Sequence, residues 1–508
     1  MPQFFLWAKG LPPFLKGPCI DSAQRHTFVE SYPHTSSFIK ICNTIVAGPY
    51  GIREAGWRKV ILRKIGLCEG FRVQWQIICI SFYFGAIMRS LQRQRKIYLD
   101  GFAGRKPTTP VSYPGLEEKA RQLLPPEAFA YLAGGAGSET TIDANRRDLD
   151  QIKIHPRMLG GVQEVSMQQP WRAHTLPAPF MLAPIGVLEL AHRDGDLAEA
   201  RACATMKVPM IISSQASHPM EDIAKHLGSC PRLFQLYYSK SKPLSQSFIR
   251  RAEAIDCSAI VVTLDTTLLG WRLRDLSLGY NPFIMGKGIA QYYSDPVFNA
   301  LPDPPQSDPY KPALSLSLVQ NMISLSNRIP GGLVHNLQTG KAMKAARKFT
   351  TIFSNPGINW DDIALIREWT SLPIYLKGIL RPDDAAKAVS LGIDGIIISN
   401  HGGRQIDGSV SSIEALAGIL CAVKGKTEIW MDSGIRSGSD VFKCIAMGAT
   451  GVMIGRPYAM ALACNGEQGI IDCLTNIMSE LELNMALSGC HTLQDINSTL
   501  ITHPWKTT

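Results

Sequence analysis

The sequence predicts an α/β fold, a (β/α)8 TIM barrel with a long lid insertion after its fourth strand and an extension at its N-terminus. Two observations carry this. From residue 178 onward, short β-rich apolar runs alternate with helical segments, the pattern of repeated βα units around a parallel sheet. Eight such runs occur, at 180–183, 209–213, 233–237, 259–263, 373–377, 395–399, 428–432 and 451–455, and eight strands close a barrel. The second observation is that polar residues unusual in strands stand at the C-terminal ends of nearly every run. They are Ser213, Gln235, Tyr237, Thr263, Asp265, Lys377, His401, Arg404, Asp432, Arg436, Gly455 and Arg456. In a barrel those ends converge on one face, so residues far apart in sequence meet in one pocket.

The segments follow in order. Residues 1–87 show no helical or alternating period and mix Pro/Gly interruptions with basic and aromatic residues, so they read as a basic extension outside the functional protein, which could begin at Met88. Residues 1–110 hold 16 Lys/Arg against 5 Asp/Glu, whereas 111–508 hold 36 against 37. The main domain is therefore almost neutral, which argues against a nucleic-acid partner. The uncharged stretch 73–88 is shorter than the roughly 20 residues needed to span a bilayer, which argues against a membrane anchor, and the N-terminus lacks the ordered regions of a signal peptide. Residues 88–177 read as a helical lead into the barrel, with two short amphipathic helices over 113–132 separated by Pro125 and Pro126. The barrel spans 178–495.

Between the fourth and fifth runs, residues 275–350 are rich in Pro, Gly, Ser and aromatics, and leave from a strand end where barrel active sites are built, so they read as a lid loop. Residues 476–508 read as the end of one helix followed by a polar tail over 496–508. The 12 cysteines contain no C-x-x-C pair, so no metal site is signalled and a reducing, cytoplasmic compartment is expected.

Three motifs concentrate the chemistry. SNHGGRQIDG (399–408) puts an ionisable base and a fixed cation on one tight loop whose glycines let backbone approach a ligand. Alone, it is equally a Gly-rich turn with a surface His and Arg. With Asp265 available to orient the imidazole and Lys377 one strand away, a catalytic base is the better reading. DSGIRSG (432–438) and GVMIGRP (451–457) close strands seven and eight, where barrels bind phosphate through backbone N–H groups and a helix N-terminus. Together with Arg436 and Arg456 they imply a phosphorylated ligand.

These motifs, with YLKGI, VVTLDT, FQLYYSK and MLAPIG, resemble the FMN-dependent 2-hydroxy acid oxidases and dehydrogenases, a family that includes glycolate oxidase, lactate oxidase, flavocytochrome b2 and lactate 2-monooxygenase. The resemblance runs from about Met88 to about residue 495. It implies FMN as cofactor, an L-2-hydroxy acid as small-molecule substrate, molecular oxygen as acceptor and a homo-oligomer, tetramer or octamer. It makes His401 the active-site base, Asp265 its partner and Tyr237 a third catalytic group near the reacting hydroxyl. Tyr131, Arg272 and Arg404 would bind the substrate carboxylate. Lys377 would lie beside the flavin N1 and O2 edge, where a fixed positive charge stabilises the anionic reduced ring. Ser213, Gln235 and Thr263 would hold the isoalloxazine, and Arg436, Gly455 and Arg456 the phosphate. Pro184, Ile185, Gly186, Ser399, Asp432 and Gly434 complete the implied cofactor-binding set.

Within the family, APIG, GWRLRDL and the insertion look most like lactate 2-monooxygenase, which implies oxidative decarboxylation when the 2-oxo acid stays bound. Gly186 stands where glycolate oxidase-like relatives carry Ala. The missing methyl is expected to leave space for a longer substrate or for oxygen. A haem domain before the barrel is not expected, because the only histidines before residue 111 are His26 and His34, without H-P-G-G surroundings. Two other readings remain at this point: an FMN-binding barrel with isomerase activity, and a non-catalytic interaction protein acting through its basic N-terminal segment.

Overall fold

The computed structural model describes residues 88–304 and 313–505. The basic extension, with all but the last residue of the stretch 73–88, lies outside the described residues. Each of the eight expected runs forms a strand: β1 (Phe180–Leu182), β2 (Met210–Ser213), β3 (Arg232–Leu236), β4 (Ile260–Thr263), β5 (Ile374–Ile379), β6 (Gly395–Ile398), β7 (Glu428–Met431) and β8 (Gly451–Ile454). All neighbours pair in parallel and β8 returns to β1, so the sheet is a closed barrel without an edge.

The strands read as continuous apolar runs because both of their faces are buried. Inward residues such as Met181, Ile211, Val261, Ile397 and Met453 fill the barrel interior, while the opposite faces pack on the surrounding helices in a second, larger core. A hairpin, Gln169–Trp171 with His174–Leu176, closes the N-terminal end of the barrel. Its Trp171 packs edge-on against Trp430, and its indole N–H lies 3.1 Å from the Tyr375 hydroxyl. That plug leaves the opposite, C-terminal end as the open face.

Register then sets which side chains share a level. Ser213 pairs with Gln235 across β2 and β3, and Thr263 pairs with Lys377 across β4 and β5. Beyond Lys377 the β5–β6 register shifts at Gly378. Gly378 has φ of 106°, and a Cβ there would stand 2.8 Å from Cβ of Asp265, so glycine is what lets Asp265 sit against the bulge.

Helices Tyr113–Leu123 and Pro126–Ala133 flank Pro125 as expected, the first capped by the Ser112 hydroxyl, which accepts from Gly115 N–H at 3.3 Å. The helix Arg89–Phe102 is tied to the last long helix, Arg456–Leu487, where Ser90 N–H donates to Glu482 at 2.7 Å.

Two expectations need correction. The insertion is not an open loop: it includes helices Leu316–Arg328, Leu333–Thr339 and Lys341–Ile352. The last buries Ala342, Ala346 and Phe349 on one side, a spacing that its flanking Gly, Pro and Ser residues obscured. Nor is the C-terminal segment a free polar tail. Ile501–Thr502 pairs antiparallel with Lys153–Ile154, and His155 N–H donates to Leu500 C=O at 2.7 Å. A two-residue strand is too short to show alternation. Among the described residues, no helix is long and apolar enough to cross a membrane.

Candidate active site

At the C-terminal ends of the strands lies a cavity of about 300 Å³. It is lined by the expected Tyr131, Pro184, Ile185, Gly186, Tyr237, Arg272, Lys377, His401, Arg404, Asp432, Gly434, Arg436, Gly455 and Arg456. Asp265, Ser213, Gln235, Thr263 and Ser399 are not among the lining residues; Asp265 and Ser399 hydrogen-bond His401 and Lys377, and Ser213 bonds the backbone of Gln215.

His401 opens a short 3-10 turn, His401–Gly403, after β6 and has φ of 57°, in the left-handed region. The two following glycines are required by close approach: a Cβ on Gly402 would stand 2.7 Å from the Arg456 guanidinium, and one on Gly403 would stand 2.8 Å from the Ile142 backbone nitrogen. The turn is fixed by Ser399, whose hydroxyl accepts from His401 N–H at 3.0 Å. Nδ1 of His401 is 2.8 Å from Oδ1 of Asp265 and 3.0 Å from the Thr266 hydroxyl. An ionised carboxylate only accepts, so Nδ1 carries the proton and Nε2 is the basic atom. Burial pushes His401 below its ordinary value, and the opposing attraction of Asp265 does not cancel it. Burial pushes Asp265 the other way, but His401, Lys377 and Thr266 outweigh it and hold the carboxyl below its usual range. Neutral imidazole beside ionised carboxylate is the arrangement of a base that becomes a stabilised imidazolium on accepting a proton.

Lys377 is 3% exposed, forms an ion pair with Asp432 at 3.0 Å and donates to Ser399 Oγ at 2.8 Å. Burial alone would favour its neutral form, yet Asp432 and Asp265 raise it above the usual value, so it is a permanent cation in the cavity wall. Asp432 therefore bears on this lysine directly.

Two cationic pairs stand at different parts of the cavity. Arg404 donates to the carbonyls of Tyr131 at 2.6 Å and Gly134 at 2.8 Å, and Arg272 donates to the Arg404 carbonyl at 3.3 Å. Both guanidinium groups flank the Tyr131 ring, at 5.8 and 5.0 Å from its centroid. Burial and the nearby Arg272 push Arg404 down to about 9. Arg456 donates to Gly402 C=O at 2.8 Å and Gly134 C=O at 2.9 Å, while Arg436 lies over the Tyr113 ring at 3.9 Å. Burial and Arg436 push Arg456 down to about 10. A guanidinium keeps its proton, so each pair is a site that an anion stabilises.

Several buried polar atoms have no protein partner among the described residues: Gln235 Nε2, Thr263 Oγ1, Arg436 Nε and Arg456 Nε. Buried donors without partners are costly, and these stand at the ends of β3 and β4 and, on another part of the barrel rim, of β7 and β8. They fit a planar ligand with acceptors along one edge and a phosphate at its far end. A Cβ on Gly455 would meet only the Ala183 methyl, at 3.8 Å, so the backbone beside Arg456 is open to such a ligand.

Gly186 departs from expectation. A Cβ there would stand 2.8 Å from Cβ of Gln215, so the space of the missing methyl is already filled by the Gln215 side chain. Sequence reasoning also missed Thr266, Phe283, Phe349, Phe353 and Tyr113. Thr266 follows Asp265 directly and could have been read from the motif; the phenylalanines lie in or just after an insertion without usable periodicity.

Comparison with known proteins identifies the family. The family model described as FMN-dependent dehydrogenase matches residues 120–503. An L-lactate oxidase of Lysinibacillus sphaericus is 36% identical over 390 residues, which cover 77% of this chain and 92% of that protein. A 4-hydroxymandelate oxidase of Amycolatopsis orientalis is 36% identical over 388 residues, 76% of this chain and 96% of that one. A crystal structure of mandelate oxidase superposes with a TM-score of 0.61 at 34% identity, covering 79% of this chain and all of the other.

Proposed function

Because the chain belongs to the FMN-dependent dehydrogenase family and is an FMN-dependent 2-hydroxy acid oxidase, we propose that His401 is its catalytic base and that it oxidises the L-enantiomer with oxygen as electron acceptor. The observation that carries this is the His401–Asp265 pair at 2.8 Å on the wall of a cavity that also presents Arg272, Arg404 and Lys377.

Arg272 and Arg404 clamp the substrate carboxylate beside Tyr131. Nε2 of His401 then accepts a proton from the substrate, and Asp265 stabilises the imidazolium. Tyr237 orients the reacting hydroxyl; burial, reinforced by Asp265, pushes its phenol well up, so it stays a protonated donor. Bound FMN supplies the two-electron sink. Gln235 and Thr263 would hold its ring, Lys377 would offset negative charge on it, and Arg436 and Arg456 would take its phosphate. Ser213 and Ser399 support this set from behind: Ser213 Oγ lies 3.3 Å from Gln235 Oε1, and Ser399 Oγ accepts from Lys377.

Release of the 2-oxo acid before reoxidation gives simple oxidase chemistry, and the filled space beside Gly186 removes one support for a monooxygenase. The test is anaerobic mixing of the holoprotein with L- and D-2-hydroxy acids, followed by air and product analysis. Bleaching of the flavin by the L-acids, then formation of 2-oxo acid and hydrogen peroxide, is expected. A carboxylic acid one carbon shorter, with carbon dioxide, would replace the oxidase outcome by oxidative decarboxylation. A bound flavin that no 2-hydroxy acid bleaches would overturn the reading.

A further inference from the structure

We propose that the cavity contains a side-chain subsite, formed by Gln215 and a wall of phenylalanines, that selects a 2-hydroxy acid with an uncharged aryl side chain bearing a hydrogen-bonding group. This rests on the function proposed above and names its substrate class.

Gln215 follows β2 and is 7% exposed. Its backbone is fully engaged: its N–H donates to Ser213 Oγ at 3.0 Å and its carbonyl accepts from Val187 N–H at 2.9 Å. Its side chain is held over Gly186 by packing, with Oε1 3.2 Å from where a Gly186 Cβ would stand. No residue among those described hydrogen-bonds its amide, which lines the cavity. The amide therefore faces the cavity with its hydrogen-bonding capacity free for a ligand. Glycine at 186 thus serves to seat this amide.

The phenylalanines come from the insertion and the residues just after it. Phe283 and Phe349 have ring centroids 5.1 Å apart, and Phe349 and Phe353 are 5.2 Å apart. The wall ends on the two site tyrosines: Phe283 meets Tyr131 at 6.3 Å, and Phe353 meets Tyr237 edge-on at 6.2 Å. It therefore begins beside the carboxylate clamp and finishes beside the reacting hydroxyl, where a substituent on the substrate's α-carbon must lie. Aromatic edges and faces suit another ring, and Phe353, the one ring of the three that is only half-buried, offers the face that a methyl group would not cover. The charged residues on the cavity belong to the clamp, the base and the cofactor end. A second charge on the substrate side chain would find no partner at the wall, whereas a phenolic hydroxyl, an indole N–H or an amide would find Gln215.

The holoenzyme is tested with L-lactate, L-malate, L-phenyllactate and L-para-hydroxyphenyllactate in anaerobic flavin reduction. Binding of the matching 2-oxo acids is read separately from the flavin absorbance shift at equilibrium. Phenyllactate is expected to outrun lactate and malate, and the para-hydroxy compounds are expected to bind about three- to tenfold tighter than the unsubstituted ones. Gln215→Met, at unchanged flavin content, is expected to collapse that ratio to near one. If Gln215→Met does not fold, Phe353→Leu serves instead and should lower the phenyllactate-over-lactate preference about two- to tenfold. The inference is overturned if lactate or malate is the better substrate, or if neither variant moves its ratio. Reduction by none of the four acids would instead overturn the parent reading.

Discussion

Oδ1 of Asp265, beyond the end of β4, lies 2.8 Å from Nδ1 of His401, beyond the end of β6. Glycine at 378 leaves Asp265 its place, because a Cβ there would stand 2.9 Å from the carboxyl carbon. It fixes both the tautomer and the orientation of the imidazole, and it sets the terms for the first two predictions.

His401→Gln should keep bound FMN, because the groups that fit the cofactor lie on other strand ends, while flavin reduction by a 2-hydroxy acid falls about 100- to 10,000-fold. Stopped-flow reduction of the purified holoprotein measures this directly. A variant within a few fold of the parent would remove His401 from the mechanism.

Asp265→Asn should act on both rate and pH dependence. Burial already holds His401 below its ordinary value while Asp265 pulls it upward, so loss of the carboxylate lets it fall further. The reaction needs neutral imidazole, and the acid limb of kcat/KM is therefore expected to move to lower pH. The maximal rate should drop on the order of 100-fold or more, since the imidazolium loses its counter-charge. An acid limb that stays in place or moves up would contradict this assignment.

Gly186→Ala should disturb Gln215, because the new methyl would stand 2.8 Å from its Cβ. Overpacking of this kind costs about 1 to 3 kcal/mol, to be read as a lower midpoint in urea unfolding. In the double variant Gly186→Ala, Gln215→Ala, most of that loss should return. Additive losses would mean that the glycine is needed for the backbone and not for Gln215.

A chain beginning at Met88 should fold, bind FMN and turn over like the full chain. The family match begins at residue 120, and the helix Arg89–Phe102 is already anchored on the C-terminal helix through Ser90 and Glu482. Flavin content and specific activity of the shortened protein are the measurements. Loss of either would assign residues 1–87 a part in the barrel enzyme.

Read alone, the sequence determined the barrel and most of the chemistry on its face. Eight apolar runs, nearly all ending in polar residues, are local signals: a buried parallel strand must be apolar along its length, and Lys377, His401 or Arg456 at or beyond its end stands out against that background. Short-range motifs likewise put His401, Gly402, Gly403 and Arg404 on one turn. How residues distant in sequence divide the space has no such local signal. Gly186 looked like room for a longer substrate, but the room belongs to Gln215, 29 positions away on the next strand end. Phe283, Phe349 and Phe353 form one wall, although no period in the insertion sets them apart from its other aromatics. Ile501 and Thr502 find Lys153 and Ile154 across most of the chain. Periodicity records which face of one element is buried; which side chain fills a given gap depends on packing between elements, and that is specified by all of them together.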